Sequence, residues 1–311
     1  MTAPAAAARA GPVSRAARIA DDPAWLGRLM LAPAVLYIGL VIAVPFLMAI
    51  GYSFSNVTVG TSETRFVGLE NFRGALQDPT FLRALGNTFI FSLGSQLLVM
   101  VLASILAIAL QRDFRGKWLV RLLILLPWVA PISLGSIGWL WIFDPIYSVI
   151  NWTLRHVGIF GPDTWPIWLG QPKLAMASII GVHVWRTMPL ATVISLGGLS
   201  SIPQDIHDAA DVDGAGFFRH LFVITLPLVL PILLVAVLFG LVFSITDMIV
   251  VYVLTRGGPF DSTQVLASLA FFKGIDGGDL SGGAAVALFL LPVLAVCAVL
   301  LLRLARRAEV G

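Results

Sequence analysis

Asp208-Ala209-Ala210-Asp211-Val212-Asp213-Gly214, followed at a distance by Ile224-Thr225-Leu226-Pro227, interrupts an otherwise apolar chain. With Asp205 just upstream, the carboxylates Asp205, Asp208, Asp211 and Asp213 stand between two long hydrophobic runs. Such a concentration of charge is excluded from hydrocarbon, so the break must face a soluble partner or a site.

The rest of the sequence explains why this break is unusual. Of 311 residues, 58% are hydrophobic and only 12% charged, whereas soluble domains carry about 25% charged residues. Runs of roughly 20 apolar residues cross a bilayer as helices. Residues 29–54, 84–110, 122–143 and 284–302 are free of charge, 174–199 carries only His183 and Arg186, and 221–254 only Asp247. The expected fold is an all-α integral membrane protein with six transmembrane helices. Continuous apolar runs do not match the short alternating segments of a membrane β-barrel.

Arg9, Arg15, Arg18 and Arg28, then Arg112, Arg115, Lys117 and Arg121, and finally Arg303, Arg306 and Arg307 flank the runs on one side. The opposite segments are poorer in Lys and Arg, which predicts both termini in the cytoplasm. The expected organisation is a cytoplasmic tail over 1–28, a membrane domain over 29–303 with a cytoplasmic loop at about 200–220, and a short tail over 304–311. The first twenty residues lack an apolar core and are expected to be a tail, not a cleaved secretory signal. Cys297 is the only cysteine, so no intrachain disulfide or thiolate metal cluster is available. The excess of basic residues belongs to the membrane flanks, and nucleic acid is not an expected partner.

Within the acidic loop, Ser201-Ile202-Pro203-Gln204 has the pattern of a capping box, placing a helix start near Ile202. Asp205, Asp208 and Asp211 recur every third residue and share a face. Gly214 is expected to end or bend this helix. Ala215 and Gly216 lead into Phe217, Phe218, Leu221 and Phe222, an aromatic ridge with Arg219 and His220 beside it. Two short helices meeting at a glycine make an exposed knob.

The spacing of Ala209, Ala210, Gly214, Ile224, Leu226 and Pro227 resembles the EAA motif of the membrane-spanning permeases of bacterial ABC importers, with Asp208 where Glu is usual. Leu31-Ala32-Pro33, Val67-Gly68-Leu69-Glu70-Asn71-Phe72, Leu126-Pro127-Trp128 and Leu254-Thr255-Arg256-Gly257-Gly258-Pro259 extend the likeness to carbohydrate-uptake permeases, similar to those for maltose-like oligosaccharides and glycerol phosphate. The resemblance implies a type I importer fold and a coupling helix formed by Asp208, Ala209, Ala210, Asp213, Gly214, Ala215, Phe217 and Phe218. It also implies a second homologous permease, two cytoplasmic ATP-binding subunits and an extracytoplasmic solute-binding protein as partners. The cargo it implies is a sugar or oligosaccharide, with a glycerol phosphodiester or polyol as the alternative.

No phosphate-binding loop is present, since Gly116-Lys117 is followed by Trp118. ATP and Mg are therefore expected on the partner ATPase, with no cofactor, metal or catalytic residue in this chain. A charge at the centre of a spanning helix costs about 2.5–3.5 kcal/mol on insertion scales. Arg186 and Asp247, each near mid-span by count, are expected to pair or to line the translocation path. Trp185, Ser244, Thr246 and Tyr252 complete the candidate path, by stacking on a sugar ring and binding its hydroxyls. Two other classes remain open at this stage: a proton-coupled carrier using Asp247, and a Mg-dependent membrane transferase suggested by Asp213-Gly214. His156, His183, His207 and His220 show no metal-ligand spacing and are expected to be structural or interfacial.

Overall fold

The computed structural model describes residues 23–61, 64–161 and 164–310, with side chains through 307. Most of the expected tail over 1–28 therefore lies outside the described residues. By its contacts the chain divides into two compact units, residues 1–51 and 52–311.

The first unit is dominated by one apolar rod, α1 (Pro23–Ile38) continued by a π-helical segment (Gly39–Ala43) and α2 (Val44–Ser53). The wide turn has a local cause. Pro45 has no amide to offer and its ring crowds the preceding turn, and the Val44 N–H bonds back to Gly39 O, five residues away.

The second unit begins with a minimal antiparallel ribbon, β1 (Ser55–Asn56) and β2 (Arg65–Phe66), with Ser55 opposite Phe66. Gly68 takes a φ of +62°, which lets the chain turn into α3 (Glu70–Gln77). Asn71 Nδ2 then donates to Ser53 O at 2.9 Å and Ser55 O at 2.8 Å. Phe72 packs between Phe54 and Phe289. The Val67–Phe72 motif is thus a hinge that fastens the ribbon to the bundle.

Helix α4 (Pro79–Gln111) starts at Asp78, whose carboxylate accepts the Thr80 N–H at 2.8 Å. The third apolar run is α5 (Lys117–Val129) followed by α6 (Ile132–Ile142), and these meet at 96°. The span expected over 122–143 is thus a bent pair of helices. Ala130 precedes Pro131 and is held extended, because the proline ring excludes the helical conformation from the residue before it. Next come α7 (Val149–His156), α8 (Pro172–Ser200), α9 (Gln204–Val212), the short α10 (Phe217–Arg219), a π-helical turn (His220–Thr225) and α11 (Leu226–Thr246). The remainder is α12 (Ile249–Leu254), α13 (Leu266–Phe271), a π-helical turn (Phe272–Asp276), α14 (Leu280–Leu288) and α15 (Leu290–Val310).

Among the described residues, five unbroken stretches are long and apolar enough to cross a membrane: 24–53, 79–111, 172–200, 217–246 and 280–307. The bent α5–α6 pair brings the total to six, as the sequence predicts.

The interior of the second unit is built on α4 against α8, with α11 packed on both and on α15. Among the buried α4 and α8 positions are many small ones, including Ala84, Ser92, Ser95, Ala103, Ala107, Ala175, Ser178, Ala191 and Ser195, interspersed with larger residues such as Phe91 and Ile179. Small residues let backbones approach closely, which is how helices gain contact where lipid removes the hydrophobic drive. Outside this seam, Arg83 Nη1 bonds Phe260 O at 2.6 Å, and Asn87 Nδ2 bonds Ser262 O at 3.0 Å and Gln264 O at 2.9 Å. Residues 260–264, which follow the Thr255–Pro259 loop, are thereby stitched to α4.

Candidate functional site

Two features concentrate polar chemistry, the acidic loop and a charge cluster between α8 and α11–α12. In the loop, the capping box expected at Ser201 does not form. Ser201 still belongs to the end of α8, its N–H and hydroxyl both reaching Gly198 O at 3.2 and 2.7 Å. Gln204 donates forward to Asp208 Oδ1 at 2.9 Å, and α9 starts at Gln204 behind Pro203, not near Ile202.

The other end of α9 follows the expectation. Gly214 adopts φ +69°, a left-handed conformation that costs other residues about 1–2 kcal/mol. Its N–H bonds Asp211 O at 3.1 Å, and the Ala215 N–H bonds Ala210 O at 3.0 Å. This is the paired closure of a Schellman cap. Ala210 is buried beneath the turn, while Asp205, Asp208, Asp211 and Asp213 are exposed. After the turn, Phe217 and Phe218 are 59% and 73% exposed and Phe222 stacks on Phe218. Acid on one short helix and unburied aromatic rings on the next form a protruding surface.

Sequence spacing did not show that the two short helices are joined by imidazoles. His207 Nδ1 lies 3.0 Å from His220 Nε2 with the rings stacked, and His220 Nδ1 lies 3.3 Å from Thr225 Oγ1. His220 opens a π-helical turn, His220–Thr225, that runs up to Pro227, the same proline effect seen before Pro45.

The second feature brings Arg186 and Asp247 together, and adds His183. Asp247 Oδ2 is 2.8 Å from His183 Nδ1 and 3.4 Å from Arg186 Nη1. Its other oxygen accepts the Ile249 N–H at 2.9 Å and the Val250 N–H at 3.4 Å. Asp247 therefore ends α11, and its carboxylate accepts the first amides of α12, so the charge sits at a break between two helices and not within one. A carboxylate that caps a new helix start cannot also continue the old one. His183 is legible in retrospect, since it precedes Arg186 by three residues and shares its helix face.

The exposure of the three side chains differs. His183 is 2% exposed and Asp247 3%, whereas the Arg186 side chain retains 22%. Arg186 also lies over Trp128 at 5.9 Å. Trp185 meets Trp139 edge-on at 5.6 Å and packs against Gly135 at the α5–α6 bend. Arg186, Trp185 and the buried Ser136 line a narrow cleft at that bend. Ser244 and Thr246 donate to the carbonyls of Leu241 and Val242 on their own helix. Tyr252 belongs to a separate cluster with Phe271, Phe272 and Arg256. Among the described residues no three His, Cys, Asp or Glu side chains gather to hold a metal.

A bundle of apolar helices with a protruding, glycine-capped acidic loop and a charge cluster buried among its spans defines a polytopic transport subunit. The chain belongs to the family described as binding-protein-dependent transport system inner membrane component, which matches residues 99–310. It is 32% identical to the sulfoquinovosyl glycerol transport system permease protein SmoG of Agrobacterium fabrum, covering 91% of each chain. It is also 32% identical to the trehalose/maltose transport system permease protein MalF of Thermococcus litoralis, over 85% of this chain and 88% of that one. Its fold matches a chain of a bacterial alginate ABC transporter, solved in complex with an alginate pentasaccharide-bound periplasmic protein, at a TM-score of 0.77. That match covers 91% of this chain and 94% of the other at 21% identity. The type I permease fold implied by the sequence motifs is therefore the fold of this chain, and the carrier and transferase alternatives give way to an importer permease.

Proposed function

We propose that this chain translocates a sugar or oligosaccharide as one permease of an ATP-driven importer. Its acidic loop at about 200–220 and both termini face the cytoplasm. The loop seats in a cytoplasmic ATPase, a second permease completes the pathway, and an extracytoplasmic binding protein delivers the cargo. The partner ATPases hold ATP and Mg. Relatives named for sulfoquinovosyl glycerol and for trehalose/maltose support a carbohydrate cargo, and the alginate transporter complex supports delivery by a binding protein.

The observation that carries the coupling role is the exposed Asp208-to-Phe218 surface held in shape by the left-handed Gly214. Gly214→Val forces a β-branched residue to φ +69° and Asp208→Lys reverses the charge of the protruding face. Either change is expected to lower copurification of the ATPase and its stimulation by loaded binding protein by about tenfold or more, the effect of roughly 1.4 kcal/mol. Normal coupling in both variants counts against the proposal.

For the cargo path, Arg186 is the cluster member with exposed surface and uncommitted donors. A charge-assisted hydrogen bond lost from a cargo contributes about 1.5–3 kcal/mol. Arg186→Met is therefore expected to reduce ATP-driven uptake by about tenfold to a hundredfold while the assembled complex keeps its basal ATPase rate. Loss of assembly in this variant, with no transport defect in the complex that remains, assigns Arg186 to structure alone.

A further inference from the structure

Beside the acidic loop lies a cavity of about 450 Å³ that the transport reading leaves unused. Its lining includes Lys117 and Arg121 of α5, Ser200 at the end of α8, Gln204 and His207 of α9, and His220 of the π-helical turn. No carboxylate contributes to it. Two acids touch its lining residues from outside: Asp208 accepts from Gln204 Nε2 at 2.9 Å, and the fully exposed Asp113 pairs with Lys117 at 3.0 Å.

Donor capacity in this cavity is in excess. Lys117 Nζ uses two of its three protons, on Asp113 Oδ1 and Gln111 O. Arg121 makes a single long contact, Nη2 to Leu110 O at 3.5 Å. His207 spends Nδ1 on His220 and leaves Nε2 facing outward from the pair. Basic side chains at helix ends are ordinary beside a membrane, but two cations and two imidazoles around one open hollow, with donors to spare, suit an anion.

A second observation identifies what carries that anion. An apolar crevice of about 220 Å³ adjoins the cavity, sharing Arg121 and Leu196 with it and lined otherwise by Leu110, Ile124, Leu125, Val193 and Thr192, whose hydroxyl is spent on Met188 O. A polar chamber of positive potential opening onto a hydrocarbon slot at one arginine matches an amphiphile and exceeds what a free ion requires. The geometry points to a phospholipid site, with an anionic headgroup phosphate among Lys117, Arg121 and His207 and an acyl chain in the crevice. A lipid held there ties α5 and α8 to α9 and His220, and so fastens the acidic loop to the bundle. Membrane insertion suffices for this inference; the identity of the cargo does not enter it.

The test is lipid retention by the purified transporter complex, read by native mass spectrometry and by thermal shift after exchange into phosphatidylglycerol or phosphatidylcholine nanodiscs. Phosphatidylglycerol is expected to remain bound to the wild type and to raise its melting temperature above that in phosphatidylcholine. Lys117→Gln with Arg121→Gln is expected to lower occupancy about tenfold or more, each cation near a lipid surface being worth about a fivefold change. Val193→Trp, which fills the crevice and leaves every charge in place, is expected to lose the lipid as well. Undiminished retention in both variants overturns the site. So does a melting shift from millimolar inorganic phosphate equal to that from phosphatidylglycerol, which would mean a free-phosphate pocket.

Discussion

Asp247→Ala is expected to unfold the centre of the bundle and to leave little assembled protein. The substitution takes the carboxylate from Arg186, whose side chain is still 22% exposed, so this loss is expected to fall below that of a fully buried pair, about 3–5 kcal/mol. It also removes the 2.8 Å contact to His183 and the acceptor for the Ile249 and Val250 amides. Loss of such a cap adds about 0.5–2 kcal/mol. Asp247→Asn keeps an acceptor oxygen for those amides and is expected to fall between Ala and the wild type. The double variant Arg186→Met with Asp247→Leu is expected to be more stable than Asp247→Ala alone, because removing both members of a buried pair is often near neutral. Thermal unfolding of the purified protein ranks the set. An Asp247→Ala melting temperature equal to that of the wild type would show that the carboxylate is dispensable to the fold.

The transmembrane runs were legible because hydrocarbon selects composition directly, and each apolar stretch became a helix. Their breaks were not legible to the same degree. The bend at Ala130-Pro131 depends on a residue that is also tolerated in straight spans, so a proline in the sequence does not announce a 96° turn. Asp247 was recognisable as a charge in an apolar run, but its function as the start of α12 depends on which amides it meets. The Arg186–Asp247 pairing followed from the cost of isolated charge; His183 escaped because a histidine is less expensive to bury than an arginine and was weighed by itself.

The acidic loop shows the same division between local and tertiary information. Gly214 was legible because one glycine at a helix end suffices for a left-handed cap. The Ser201 capping box was misread because Ser201 closes α8, where its hydroxyl donates to Gly198 O, and α9 begins only at Gln204 behind Pro203. The His207–His220 contact joins residues on opposite sides of the Gly214 reversal, where helix periodicity carries no information. Sequence pattern thus reaches as far as each helix and its caps, and stops where the chain folds back on itself.

Gly283→Ala is expected to be the most damaging single-methyl addition in the second unit. A Cβ at Gly283 would lie 2.4 Å from Gly274 Cα, 2.7 Å from Gly274 N and 2.8 Å from Ala270 O. All three atoms are backbone, so no rotamer change relieves the overlap and α14 must move away from α13 and the π-helical turn after it. That movement pulls Phe289 from Phe72 and Phe81 and disturbs the Val57–Ser281 hydrogen bonds that hold β1. Overpacking in a filled interior costs about 1–3 kcal/mol even when side chains can adjust, and here they cannot, so the loss is expected at or above the upper end. Gly240→Ala is the informative contrast. The three atoms nearest its new Cβ all belong to the amide end of Gln96, and a flexible side chain can swing aside. Gly181 has no atom within 4 Å of its would-be Cβ and lies inside α8; there alanine is expected to stabilise by up to about 1 kcal/mol through helix propensity. Melting temperatures in the order Gly181→Ala, wild type, Gly240→Ala, Gly283→Ala, from highest to lowest, follow from this packing. A Gly283→Ala protein as stable as Gly240→Ala would mean that the α13–α14 backbones do not approach as closely as the structure places them.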